Sequence, residues 1–271
     1  MFNAIKSIFI IVLLLSFTAC KNNSRQETAA DILEQARSEK EAKNYPAAIA
    51  LLDTIDTSYS DCIDARREGS RLRIETRIAQ ASDSLAVYES ARPERQERVD
   101  RLSVDFIKIG MQGTDGYYVH NKSFTNEEMN STGIQARVDD KGYFFVAVNL
   151  SGRKIGLNAL RYNDIISLPM ESLIVENSEI MSLPQECVTV LSQAIANAPE
   201  GPLNLELIGK KGKVPVTLSA KQAESYRQTW IYANAVQDLL KANVRQEKFE
   251  RLISLLQKQL STFSTDTAEV K

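Results

Sequence analysis

The hydrophobic period of this chain changes once, near Leu102, and that change limits the folds open to it. From Thr28 to Leu102 apolar residues recur at helical spacing and glycine is nearly absent; such a pattern lets a helix bury one face. Beyond Leu102 they alternate, first in Val104-Asp105-Phe106-Ile107-Lys108-Ile109 and again in Ile134, Ala136 and Val138, with Gln135 and Arg137 between them. Alternation gives a strand one buried and one wet face. The expected fold is therefore α+β: a helical arm over 28–102, then an α+β domain over 103–262 whose mainly antiparallel sheet is covered by C-terminal helices. The polar stretch 263–271 reads as a disordered tail.

Within the arm, Ile32, Leu33 and Ala36 line a first helix and Ala47, Ala48, Leu51, Leu52 and Ile55 a second, separated by Asn44-Tyr45-Pro46. Pro46 suits a first helical turn, where a missing N–H costs nothing. Ala36, Tyr45 and Ala48 stand at small, aromatic and small packing positions, and the pair resembles one tetratricopeptide unit. Gln35 and Ser60 replace that family's leucine and closing proline, and stacked arrays need about three units. A third stretch, Asp61 to Glu89, carries Ile63, Leu72, Ile78, Leu85 and Tyr88 between many charges. It reads as a long, largely solvated helix or coiled-coil segment, broken at Ala91-Arg92-Pro93 and resumed to Leu102. The charges from Arg66 to Arg77 read as a solvated face.

In the α+β region, Tyr117-Tyr118-Val119, Ile134 to Val138, Tyr143 to Leu150 and Lys154 to Tyr162 read as consecutive strands of an antiparallel meander, with Asp139-Asp140-Lys141-Gly142 as a hairpin loop. Ser182 and Gln185 have capping-box spacing and predict a helix start. Leu203 to Ile208 and Val214 to Leu218 predict a hairpin around Gly209-Lys210-Lys211-Gly212. Ser219 and Gln222 open a helix through Tyr226, Trp230 and Leu240, with a restart at Asn243 and Gln246 and an amphipathic face of Phe249, Leu252, Ile253, Leu256 and Leu260.

The N-terminus has a basic Lys6, an apolar run from Ile8 to Leu15, and then Ser16-Phe17-Thr18-Ala19-Cys20. The run is too short to cross a bilayer, which takes roughly 20 apolar residues. This arrangement resembles the signal peptide and lipobox of bacterial lipoproteins. The resemblance implies that 1–19 is a cleaved signal peptide, that Cys20 is the lipid attachment site and that the polar residues 20–27 form a flexible tether. Lys21 occupies the position where an inner-membrane-retained lipoprotein has Asp, and no acidic export run follows. The expected location is the periplasmic face of the outer membrane, with surface exposure left open.

Lys+Arg at 33 and Asp+Glu at 35 give a net charge of −2, so no electrostatic footprint for nucleic acid is present and lipid must supply the membrane affinity. Cys62 and Cys187 remain for an oxidising compartment. A disulfide and two free thiols both stay open, since Cys187 shares a helical face with Leu191 and Ile195. His120 is the only histidine, which removes His-paired metal motifs and leaves any nucleophile-and-base triad resting on it. It reads as a structural or solvated strand-end residue whose replacement by Ala changes stability little. Gly209 to Lys213 is too compact for a phosphate loop, and Gly110, Gly113 and Gly116 lack a dinucleotide site's strand-to-helix setting. Asp139 and Asp140 read as turn formers. Asp53-Thr54-Ile55, Asp83-Ser84-Leu85 and Asp266-Thr267-Ala268 resemble a periplasmic O-glycosylation triplet.

No catalytic, cofactor or metal residue is assigned, and the one assigned site is Cys20. The leading expectation is a lipid-anchored envelope protein acting as a non-enzymatic protein-interaction or scaffold module, with another envelope protein as partner. The alternative is capture of a glycan or small ligand by Tyr117, Tyr118 and Tyr143. An envelope enzyme working with carboxylates alone is the third reading.

Overall fold

The structure, a computed structural model, describes residues 24–111, 114–123 and 131–266. It is α+β and forms two compact units. One runs as far as Ser90 and takes in the chain from Arg245 on; the other is Ala91–Val244. The period change suggests a boundary near Ser103, but the divisions fall inside two helices instead.

The first unit contains α1 (residues 24–41), α2 (Tyr45–Ser58), the first part of α3 (Ile63–Ser103) and the last part of α5 (Ala220–Asp266). Leu33, Ala36, Leu52, Ile55 and Leu72 form its buried cluster, with Tyr45 and Ala48 also buried. Residues 24–27, expected as tether, are helical. Arg25 ties this turn down by pairing with Asp61 at 2.8 Å and donating to the Ser58 carbonyl at 2.8 Å. Pro46 lies in the first turn of α2. Much of the α3 charge is paired: Arg73 bridges Asp53 at 2.8 Å and Asp56 at 2.6 Å, and Glu68 pairs with Arg37. On α5, Phe249 stacks on Tyr88 with ring centres 5.8 Å apart, and Arg245 donates to the Tyr88 hydroxyl.

The expected break at Pro93 is absent, and α3 runs through it. Proline removes the hydrogen bond to the Glu89 carbonyl, but both residues are exposed, where water takes that carbonyl over. The restart expected at Asn243 is absent too, because α5 is continuous over 47 residues. Residues 263–266, expected in the tail, belong to α5; the rest of the tail lies outside the described residues.

Among its described residues the second unit holds ten strands: β1 (Phe106–Met111), β2 (Thr114–His120), β3 (Gly133–Val138), β4 (Phe144–Ser151), β5 (Leu157–Tyr162), β6 (Ile165–Ile166), β7 (Leu173–Val175), β8 (Ser178–Pro184), β9 (Leu203–Gly209) and β10 (Gly212–Leu218), with α4 (Gln185–Ala196) between β8 and β9. They form a six-stranded sheet, β1-β2-β3-β4-β8-β7, and a four-stranded one, β10-β9-β5-β6, antiparallel throughout. One core joins both sheets to α4 and the first part of α5, with Phe144, Leu160, Met181, Leu191, Leu205 and Tyr226 at its centre. Phe144 meets Trp230 and Tyr226 edge-on. At Gly142 (φ +77°) a Cβ would lie 2.9 Å from Val236 Cγ1, so only glycine permits both the hairpin turn and this approach to α5.

The expected meander holds through β4 and then ends, because β5 leaves for the second sheet. Glu179 fixes that departure by accepting the Gly156 and Leu157 N–H groups at 2.9 Å each, and β8 takes the vacated place beside β4. Strands β6 to β8 were not expected. The capping box expected at Ser182 is also absent: Ser182 sits opposite Ala147 in the β4–β8 ladder, and α4 starts at Gln185 without a side-chain cap. The Gln185 side chain instead accepts the Phe144 N–H and the Gln237 amide. The box at Ser219 is formed, with the Gln222 N–H donating to Ser219 Oγ and the Ser219 N–H to Gln222 Oε1. The β9–β10 hairpin turns at Gly209 to Gly212 as expected.

Candidate functional site

Pleating divides the six-stranded sheet into a core face, carrying Ala136, Val146, Val148 and Met181, and an opposite face. The register places Arg137 across from Phe145, Gln135 from Ala147, Asn149 from Ile180, and Ile180 from Leu173 on that opposite face. A groove of about 660 Å³ lies there, lined among others by Arg137, Asn149, Ser151, Ser178, Ile180 and Ser182. This volume suits a small ligand, for which pockets run from about 300 to 1,000 Å³. The wet face expected for β3 is largely covered, with Gln135 only 2% exposed.

Arg137 is the one cation among the described residues that line the groove. Its guanidinium carbon lies 4.2 Å from the Tyr117 ring centre, and Nε donates to Gln135 Oε1 at 2.6 Å. Burial pushes Arg137 below its ordinary value, partly offset by Tyr117. Beside the groove, β7 is an edge strand of three apolar residues, Leu173, Ile174 and Val175, which are 72%, 61% and 48% exposed. Leu168 and Ile180 add to the exposed apolar surface. An edge strand offers unpaired backbone N–H and C=O groups, and natural proteins often shield it with charge or proline. β7 carries neither.

The three tyrosines named as a ligand platform are not brought together. Tyr117 and Tyr118 are adjacent on β2 and so face opposite sides: Tyr117 lies against Arg137 and Phe145, while the Tyr118 hydroxyl donates to Asp140 at 2.8 Å. Tyr143 is exposed ahead of β4. Asp139 is the turn former expected, taking the Lys141 and Tyr143 N–H groups at 2.8 Å each. Asp140 pairs with Lys108, whose ammonium and then the Tyr118 hydroxyl hold it below the usual carboxylate range.

His120 ends β2 and is only 3% exposed. Its Nδ1 accepts the Lys122 N–H at 3.1 Å and its ring meets Phe106 edge-on. Burial pushes the imidazole below its ordinary value, against the opposing pull of Asp105. The sequence-based expectation that His120→Ala costs little is thus corrected, since removing a sealed ring leaves a hole. Cys62 and Cys187 are both free thiols, and Cys187 packs against the core as its helical face suggested.

Of the glycosylation triplets, Thr54 and Ser84 lie in helices and bond backward to the Ala50 and Gln80 carbonyls. Thr267 and Ala268 lie outside the described residues, as do the leader and the Cys20 attachment site. Among the described residues no His, Cys, Asp and Glu group could hold a metal ion, and no helix is long and apolar enough to cross a membrane.

Sequence reasoning missed Arg137, Glu179 and Arg227. Arg227 caps α4 by donating to the Ile195 and Pro199 carbonyls at 3.2 and 2.6 Å. All three look like ordinary surface charges in the sequence, and the only available signal is a charge at a core-face position, as at Glu179 between Ile180 and Ser178. No family model, curated protein or solved structure matches this chain.

Proposed function

We propose that the protein is a lipid-anchored envelope component, tethered through Cys20 to the periplasmic face of the outer membrane, which docks an extended segment of another envelope protein and performs no catalysis of its own. The observation that carries this reading is the bare apolar edge at Leu173, Ile174 and Val175. Strand addition to such an edge draws affinity from backbone hydrogen bonds and specificity from alternate side chains, and an uncovered apolar patch on a folded protein marks an interaction surface. The lipobox-like Ser16-to-Cys20 run supports the anchor.

The test places a photoreactive residue at position 174 in whole cells and, as control, at Val190 on α4, which is also exposed. A discrete adduct from 174 that is absent from 190, and is lost on Leu173→Lys, is expected. Identical products from both positions would defeat the edge reading. Cys20→Ser is expected to release the protein from membranes on fractionation, because its near-neutral charge leaves acyl chains as the source of attachment; a variant that stays bound would defeat the anchor.

A further inference from the structure

We infer that the groove on the outer face of the six-stranded sheet binds a carboxylate carried on a hydroxylated ligand, of the acidic-sugar class, with Arg137 as the residue that captures the acid. Arg137 is half-buried on β3, and its only hydrogen-bonding partner among the described residues is Gln135 Oε1. That contact uses Nε and leaves the two terminal nitrogens, which form the rest of the guanidinium fork, without an acceptor among the described residues. Neither of them is among the sealed, unpartnered side-chain nitrogens of the described residues, which belong to Arg73, Arg95 and Arg161.

Three other inward arginines are compensated. Arg73 has Asp53 and Asp56, Arg161 has Glu206, and Arg227 has two carbonyls and Glu224. Arg95 lacks such a partner, but Glu94 and Asp238 line its smaller hollow of about 240 Å³. At Arg137 the Tyr117 ring supplies some attraction, worth roughly 2 kcal/mol for a desolvated pair. A ring face satisfies none of the N–H donors. Keeping a partly desolvated cation without an acid costs stability, and that arrangement is characteristic of a group held for a ligand.

The rest of the groove narrows the ligand class. One cation, with no second lysine or arginine among the described lining residues, suits a monoanion, and the fork geometry of arginine matches a planar carboxylate. Glu176, an exposed residue that also lines the groove, repels a dianion such as phosphate or sulfate more strongly than a monoanion. Ser178 and Ser182 line the groove, and their hydroxyls form no hydrogen bond with a described residue, leaving them for ligand hydroxyls. Val175 and Ile180 give an apolar strip for the C–H face of a ring. Docking at β7 uses the backbone edge of that strand and shares only Val175 with the groove, because Ile174 pairs with Glu179 and lies on the other face of the strand.

Isothermal titration of the full chain at constant ionic strength tests it, using sodium D-galacturonate, D-glucuronate and N-acetylneuraminate, with D-galactose and sodium sulfate as controls. At least one acidic sugar is expected to bind with a Kd below about 1 mM, with galactose at least tenfold weaker and no competition from sulfate. Arg137→Gln should weaken the acid at least tenfold, while Ile174→Lys leaves it unchanged. Arg137→Met is expected to melt no lower than the parent, because it removes an uncompensated charge. Equal binding of acid and neutral sugar, equal binding of sulfate, full retention in Arg137→Gln, or no acidic sugar bound would each overturn the inference. A large loss of stability in Arg137→Met would do so as well, by showing that the arginine is structural.

Discussion

Glu179 is only 2% exposed, yet it is a carboxylate, and its neighbours explain why it is tolerated. Burial pushes the acid upward, but the backbone N–H groups of Leu157, Gly156 and Ile155 reverse this and hold it below the ordinary value. A folded value below the unfolded one, about 4.3, adds stability above that pH, and this stability is lost as pH falls through the folded value. Glu179→Gln keeps one acceptor oxygen and turns an N–H donor toward a donor. It should therefore lower stability by about 1–3 kcal/mol at neutral pH, with the gap closing in acid. Urea midpoints at pH 7 and about pH 3 decide the matter, and a gap that does not change with pH would show that the ionised form is not what β8 needs. The sequence conceals such residues because their partners are remote: Gly156 and Leu157 precede Glu179 by 23 and 22 positions. Asp139 was legible for the opposite reason, since it bonds only two and four residues ahead.

At the scale of elements, Pro93 gives the sharpest forecast. Proline inside a helix is about 3 kcal/mol less favourable than alanine, and Pro93 is exposed, where side-chain packing offsets little of this. Pro93→Ala should raise stability by about 1–3 kcal/mol, read as a higher urea midpoint with helicity unchanged. A lower midpoint would mean that the helix needs a proline kink there. The same residue shows where sequence reading stops. Apolar spacing together with turn residues identified α1 to α3, β1 to β5, β9, β10 and α5, but it put a stop at proline because a single residue does not reveal that its surroundings are solvent. Two capping boxes with the same spacing ended differently. Ser219 follows the end of β10 and caps α5, whereas Ser182 lies between Met181 and Leu183, which are buried in the core. There the strand ladder prevails over the local cap. Strand β8 was missed because Glu179 occupies a core-face position and breaks its alternation.

On the scale of the whole molecule, the chain's order does not match its division into units. Reading from the N-terminus suggests an arm followed by a domain, yet the segment from Arg245 belongs with the first unit, where Phe249 stacks on Tyr88. Amphipathic spacing gave Phe249 and Leu256 an apolar face without specifying its partner, and pairing between distant helices leaves no local trace. The same holds for Val99 and Leu102, which lie on α3 but pack against the core of the second unit. That core, all ten strands and α4 fall within Ala91–Val244, so a fragment of those residues should fold alone. It is expected to unfold in one cooperative urea transition, followed by both tryptophan fluorescence from Trp230 and far-ultraviolet circular dichroism. A fragment of 103–260, cut where the sequence period changes, should be less stable, because it loses Val99 and Leu102 and carries the 245–260 helix without Tyr88. If 91–244 melts without cooperativity, or if 103–260 is the more stable fragment, the helical unit contributes to the sheet core and the two units fold as one.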